Sequence, residues 1–110
     1  MAKFIFLLKG PATDMSKMSE EQSKQVMAYW DTWMRKVGNA VVDMGAPMAN
    51  GVAVVDDGSE GVTTQMNGYS IVEAADMAGA KALTEGHPFL ADHTGQFSVE
   101  IFELMPIPSM

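Results

Sequence analysis

The sequence predicts an α+β domain in which one mainly antiparallel sheet carries two helices on the same face. Short β-rich runs bounded by Gly, Pro or Asp alternate with two amphipathic segments, in the order strand, helix, strand, hairpin, strand, helix, strand. Hydrophobic residues make up 47% of the chain and charged residues 19%, which is the balance of a folded globular protein. At 110 residues, the chain is expected to form a single domain over residues 1–110.

The first strand is predicted over residues 3–8, where a continuous apolar run follows Lys3. Successive side chains of a strand point to opposite faces, so Phe4 and Phe6 share one face. Ile5 and Leu7 share the other face. Both faces of this strand are therefore apolar, and the folded protein has to cover each of them.

The first helix has the clearest sequence signals. Ser19 and Gln22 match a capping box, which predicts that the helix begins directly after Ser19. Apolar residues at helical spacing form one stripe along it, namely Val26, Trp30, Trp33 and Val37. We interpret both tryptophans as core residues because they belong to this stripe. Gly38 is predicted to end the helix, since glycine readily adopts the left-handed conformation that closes many helices.

The later elements are shorter. Strands are predicted at residues 40–44 and 68–74, and a hairpin between them has predicted arms at residues 52–55 and 62–66. A second helix is predicted to begin after Asp76 and to end at Gly86. In the last strand, one face carries Phe97, Val99 and Ile101, and the other carries Ser98, Glu100, Phe102 and Leu104.

The sheet face without helices needs a cover of its own. The first strand is apolar on both sides, and Phe102 and Leu104 add apolar side chains to the face that the helices leave open. A second copy of the chain, related by a twofold axis, is the economical cover. The sequence therefore predicts a homodimer whose interior between the sheets forms a pocket for a ligand.

Composition excludes several classes of function. A net charge of -7, with no cluster of Lys and Arg, opposes binding to nucleic acid. The chain has no cysteine and only two histidines, without the spacing of a metal motif, so we expect no disulfide, metal or cofactor. No apolar run approaches the roughly 20 residues of a membrane span, and Lys9 interrupts the first one. We expect a cytoplasmic protein that does not bind membranes.

Several stretches in order along the chain resemble the YCII-related proteins, whose relatives include the DGPF-domain proteins. They are residues 3–9, the helix end at Val37-Gly38, residues 41–47, residues 68–74, residues 85–88 and residues 99–101. The resemblance implies a ferredoxin-like fold that dimerises as an α+β barrel. It also implies an activity related to dehalogenation, because the broader family includes a dehalogenating enzyme of aromatic breakdown.

Two positions depart from the family patterns. Residues 63–67 read Thr-Thr-Gln-Met-Asn where DGPF relatives carry the sequence that names them. The YCII branch has a proposed active pair, a His on the first helix and an Asp just before a Pro. Here the first helix contains no His, and His87 precedes Pro88, so the proposed pair is not carried over.

Two residues are candidates for acid–base catalysis. His87 has a side chain that titrates near neutral pH, and the proline after it favours an extended backbone. The competing interpretation is that His87 caps the helix end or packs against Phe89. Asp43 interrupts an apolar strand, so its carboxylate lies either in water at a sheet edge or in a cavity, where it could assist His87.

Four residues are candidates for contact with a ligand. Tyr69 could offer a hydroxyl group, although a strand tyrosine often only packs. Met44 belongs to a set of 11 methionines whose flexible side chains make a pocket adaptable in shape. Phe4 and Phe6 would supply apolar contacts.

These features support two hypotheses of function. The first is a homodimeric protein that binds a small, largely apolar or aromatic molecule between sheet and helices or between subunits, with acid–base chemistry of a lyase or dehalogenase type by His87 and Asp43. The second is a non-catalytic dimerising or regulatory module whose apolar face serves only assembly.

Overall fold

The computed structural model describes residues 1–11, 19–91 and 93–107. Six strands and two helices follow in chain order: β1 (Ala2–Lys9), α1 (Glu20–Val37), β2 (Val41–Asp43), β3 (Ala53–Val54), β4 (Glu60–Gly61), β5 (Met66–Ala74), α2 (Met77–Ala82) and β6 (Ser98–Leu104). Short 3-10 turns lie at Gly38–Ala40 and Pro88–Leu90. Neither helix in this described part of the chain is long and apolar enough to cross a membrane.

The central sheet has four strands in the order β2-β5-β1-β6, and all neighbours are antiparallel. With α1 and α2 as the two crossovers, this order is the ferredoxin-like arrangement. Trp33 and Val37 of α1 and Ala80 of α2 belong to one buried cluster with Phe4 and Phe6 of β1. Both helices therefore cover the same face, and the predicted fold class is confirmed.

Strand register determines which side chains share the covered face. Phe4 is opposite Val72 and Phe6 is opposite Ser70, so alternate residues of β1 and β5 point toward the helices. Phe4, Phe6 and Val72 have no solvent exposure. The same register places the residues between them on the other side of the sheet, which we call the helix-free face. It carries the apolar side chains of Ile5, Leu7, Tyr69, Ile71, Phe102 and Leu104 and the charged side chains of Lys3, Lys9, Glu73 and Glu100.

The predicted boundaries of α1 are confirmed. The Gln22 N–H donates to Ser19 Oγ at 3.1 Å, and the Ser19 N–H donates to Gln22 Oε1 at 3.0 Å, which completes the capping box. At the other end, Gly38 follows the last helical residue, but its φ of 53° and ψ of -127° differ from the predicted left-handed helical conformation. The local signals are sufficient here because both ends of the helix depend on neighbouring residues alone.

The predicted hairpin differs from the structure in its second arm. The second arm is Glu60–Gly61, not residues 62–66, because the Val55 N–H already donates to the Ser59 carbonyl at 2.8 Å. The turn is stabilised by Asp57, whose carboxylate accepts the Ser59 N–H and hydroxyl. Met66 instead begins β5, where it pairs with Lys9.

The second helix also differs at its end. It stops at Ala82, and residues 83–86 form turns before Gly86 reverses the chain with a φ of 74°. Its start is as predicted, since the Gly79 N–H donates to Asp76 Oδ1 at 2.8 Å.

Candidate ligand cavity

A cavity of about 670 Å³ lies on the helix-covered side, between α1, the β2–β5 edge of the sheet and the 3-10 turn after α2. Its lining is mostly aromatic and aliphatic, and none of the described residues that line it is charged. They are Leu8, Val26, Tyr29, Trp30, Trp33, Met34, Val41, Met44, Gly45, Ala46, Pro47, Met48, Asn67, Gly68, Tyr69, Ser70, Pro88, Phe89, Ala91 and Phe97.

One wall is the apolar stripe of α1. The rings of Trp30 and Trp33 lie 6.0 Å apart at 88°, an edge-to-face pair. The Trp33 Nε1–H donates to the Leu83 carbonyl at 2.8 Å, which anchors this indole to the end of α2. Tyr29 continues the wall, and its hydroxyl accepts a hydrogen bond from Gln25 Nε2 at 2.9 Å. The stripe predicted as core therefore also forms the side of the cavity.

The opposite wall is the segment from Met44 to Met48, which lies against β5. Gly45 has a φ of 71°, and a Cβ at this position would lie 1.8 Å from the Tyr69 carbonyl oxygen, so only glycine fits. The segment is held by the Met48 N–H, which donates to the Asn67 carbonyl at 3.0 Å. Met44 and Met48 are 65% and 39% exposed, so their flexible side chains border the opening.

The remaining sides come from the sheet and from the turn after α2. Leu8, Gly68 and Ser70 lie on the floor, where β1 pairs with β5. Phe89 and Phe97 form a second edge-to-face pair, with ring centroids 5.2 Å apart at 84°. The cavity is thus bordered by two perpendicular pairs of aromatic rings.

His87 lies behind this cavity rather than on its surface. It is 2% exposed, and its ring packs 4.5 Å from Trp33, 5.1 Å from Trp30 and 6.4 Å from Phe6, measured between ring centroids. Burial lowers the pKa of His87 to about 4, so the imidazole is neutral at neutral pH.

The hydrogen bonds of His87 assign its tautomer. Nδ1 accepts the Phe89 N–H at 3.1 Å, so the ring proton is on Nε2. That atom is buried and has no hydrogen-bond partner within the described residues. His87 caps the start of the 3-10 turn at Pro88–Leu90, whereas the sequence suggested that it caps the end of the second helix or packs against Phe89.

The six candidate residues occupy different places. Met44 and Tyr69 border the cavity, although alternation along β5 directs the Tyr69 side chain to the helix-free face. Phe4 and Phe6 are fully buried in the core. Asp43 is exposed at the β2 edge, where its Oδ1 accepts the Gly45 N–H at 2.8 Å.

The structure therefore brings neither Asp43 nor His87 into the cavity lining, and each makes its hydrogen bond to a nearby backbone N–H instead. Sequence reasoning missed Tyr29, Met34, Phe89 and Phe97 as lining residues. The apolar stripe of α1 was the signal for Tyr29 and Met34, because residues beside such a stripe lie at the edge of the surface that the stripe covers. No local signal relates Phe89 to Phe97.

The described residues contain no group of three or more His, Asp or Glu side chains able to hold a metal ion.

Comparison with characterised proteins and with solved structures gave no significant match. The profile of the YCII-related domain matches residues 5–105, which extend from within β1 to the end of β6. Because this match extends over nearly the whole chain, the protein belongs to the YCII-related domain family.

Proposed function

We propose that this protein binds a small, largely apolar organic molecule in the cavity between α1 and the β2–β5 edge. The observation that carries the proposal is the cavity itself, whose volume of about 670 Å³ falls within the range of about 300–1,000 Å³ that is common for ligand sites. Aromatic and methionine side chains supply most of its surface, which suits a flat apolar ligand and allows some variation in shape.

A few polar groups could orient such a ligand. The Tyr29 hydroxyl accepts from Gln25, which leaves its own proton free to point toward the cavity. Ser70 adds a hydroxyl to the lining near the floor. Asn67 also lies in the lining, but its side-chain NH2 already donates to the Gly10 and Pro11 carbonyls. A small number of polar groups in an apolar surface is the usual composition of a ligand pocket.

The geometry supports binding more strongly than acid–base catalysis. His87 would have to contact a substrate through a shift of Trp30 or Trp33, because its Nε2 is buried behind them. The low pKa of His87 also makes it a weak base at neutral pH. Asp43 holds the Gly45 turn in place, which is a structural task.

Binding can be tested with N-phenyl-1-naphthylamine, an uncharged dye that fluoresces in apolar surroundings. We expect saturable fluorescence with the purified chain. The variant Ala46→Trp places a large side chain in the cavity lining, and it should weaken dye binding at least tenfold. The matched control Ala28→Trp alters an exposed position of α1 outside the lining and should bind as the unmodified protein does. Equal binding by all three proteins would refute the assignment of the cavity.

The helix-free face supports a second proposal, that two copies of the chain associate through it. Phe102 is 52% and Leu104 38% exposed on this face, and β1 and β5 add apolar neighbours to them. Exposed apolar surface of this kind favours association. If assembly were its only task, the protein would be the non-catalytic dimerising module that is the alternative hypothesis.

Light scattering at micromolar concentration tests the association. We expect the mass of a dimer for the unmodified chain and of a monomer for Phe102→Glu, which introduces a charge into the face. The control Met27→Glu changes a methionine of α1 that is 67% exposed, and it should leave the mass unchanged. A monomeric unmodified chain would exclude the dimer while leaving the cavity proposal intact.

A further inference from the structure

The cavity is an unfavourable site for anionic ligands. No Lys, Arg or His lies among the described residues that line it, and the chain carries a net charge of -7. A carboxylate or phosphate entering this space would lose its hydration without gaining a cationic partner. The overall charge would also repel it during approach.

The same cavity offers good partners to a cation. Six aromatic residues line it, and for five of them the alternation of β5 raises no objection to a side chain that faces the cavity: Tyr29, Trp30, Trp33, Phe89 and Phe97. The sixth is Tyr69, whose side chain is directed to the helix-free face. The pair of tryptophans and the pair of phenylalanines each contain perpendicular rings, at 88° and 84°. Because the two rings of each pair are perpendicular, their faces point in different directions, and a ring face that is open to the cavity can bind an ammonium group through cation–π attraction.

Methionine sulfur atoms reinforce this preference. Met34, Met44 and Met48 line the cavity, and the thioether sulfur is a polarizable weak acceptor. An ammonium group with alkyl substituents is weakly hydrated compared with a carboxylate, so it loses less on entering an apolar site. The charge of the ammonium group is therefore stabilised by ring faces and sulfur atoms, and the net negative charge of the protein attracts it.

We propose that the preferred ligand of the cavity is an organic cation, an aromatic or alkyl-substituted ammonium compound held against the rings of Tyr29 and Trp30. This inference rests on the proposed function and specifies the chemical class of the ligand. Tyr29 is 47% exposed, and Trp30 is partly buried, so both can present ring surface to a molecule that enters from solvent.

Displacement of the bound dye by three small probes tests this preference. Phenyltrimethylammonium carries the charge, tert-butylbenzene is its uncharged carbon isostere, and phenylacetate is an anion of similar size. We expect the cation to bind about tenfold more tightly than the isostere, a difference of about 1.4 kcal/mol. Phenylacetate should bind more weakly than both. Equal or tighter binding of the isostere or of the anion would overturn the inference.

Variants of Tyr29 and Trp30 test whether these two rings cause the preference for the cation. Trp30→Leu and Tyr29→Leu should reduce the ratio of cation to isostere affinity severalfold, while Trp30→Phe and Tyr29→Phe retain most of it. Tyr29 is exposed enough that its variants should fold even if Trp30→Leu does not. An unchanged ratio in folded leucine variants would also overturn the inference. Failure of the dye itself to bind would instead refute the proposed function, so the two failures are distinguishable.

Discussion

Both faces of the central sheet carry apolar side chains, but only one face is covered by helices. On the helix-covered face, Phe4 and Phe6 have no solvent exposure, because Trp33 and Val37 of α1 pack over them. On the helix-free face, Phe102 remains 52% exposed. Strand alternation creates two faces with apolar side chains, whereas the chain has helices for only one of them. The covered face also borders the cavity, and His87 is buried on the same side of the sheet.

The largest expected difference between the faces comes from truncating one phenylalanine on each. Phe6→Ala should lower the free energy of unfolding by about 3–5 kcal/mol, because it leaves a cavity in the packed core. Phe102→Ala should cost about 0.5 kcal/mol or less in the monomer, since its side chain is already half in water. Urea unfolding at submicromolar protein concentration measures both.

Protein concentration sharpens this comparison. If the helix-free face is covered by a second copy, the loss in Phe102→Ala should grow as the concentration rises, whereas the loss in Phe6→Ala stays constant. Equal losses in the two variants at low concentration would contradict the difference between the faces.

The next effect is the pH dependence of the free energy of unfolding that arises from His87 on the covered face. The pKa of His87 is lowered by burial to about 4 from an ordinary value of 6.5, so the unfolded chain takes up this proton at a higher pH than the folded protein. The neutral form therefore stabilises the fold fully above pH 6.5, and this contribution is lost as the pH falls toward 4. The shift corresponds to about 3 kcal/mol.

The variant His87→Phe isolates the contribution of His87 to the pH dependence of stability. The substituted ring can pack against Trp30 and Trp33 without titrating, although it no longer accepts the Phe89 N–H. The free energy of unfolding, measured from pH 7.5 to 4, should fall more steeply for the unmodified chain than for the variant. Parallel curves would mean that His87 is protonated as easily in the folded state as in the unfolded one.

The smallest effect belongs to the helix-free face. Lys9 Nζ lies 2.7 Å from Glu100 Oε2, and the two side chains are 28% and 39% exposed. Solvent screens such a pair, so a double-mutant cycle with Lys9→Met and Glu100→Gln should give a coupling free energy of about 1 kcal/mol or less. A coupling well above this value would show that the pair is shielded from water, as it would be inside an interface between two copies.

The limits of sequence reasoning follow from the same comparison. The alternation of Phe4 and Phe6 with Ile5 and Leu7 was enough to predict both apolar faces, and the order of elements was enough to predict helices on one of them. The arms of the hairpin were harder, because β-rich residues at 62–66 extend beyond the point where the turn at Asp57 closes the pairing.

The sequence by itself determined the elements whose signals lie within a few residues. Ser19 and Gln22 begin α1, Gly38 ends it, and strand periodicity assigns each residue of β1 to a face. Only the tertiary structure decided which of these residues meet. It brought Met44 and Trp30 into the lining of one cavity and buried His87 against two tryptophans. The physical reason is range: caps and periodicity depend on neighbours along the chain, whereas a cavity depends on the packing of segments that are distant in sequence.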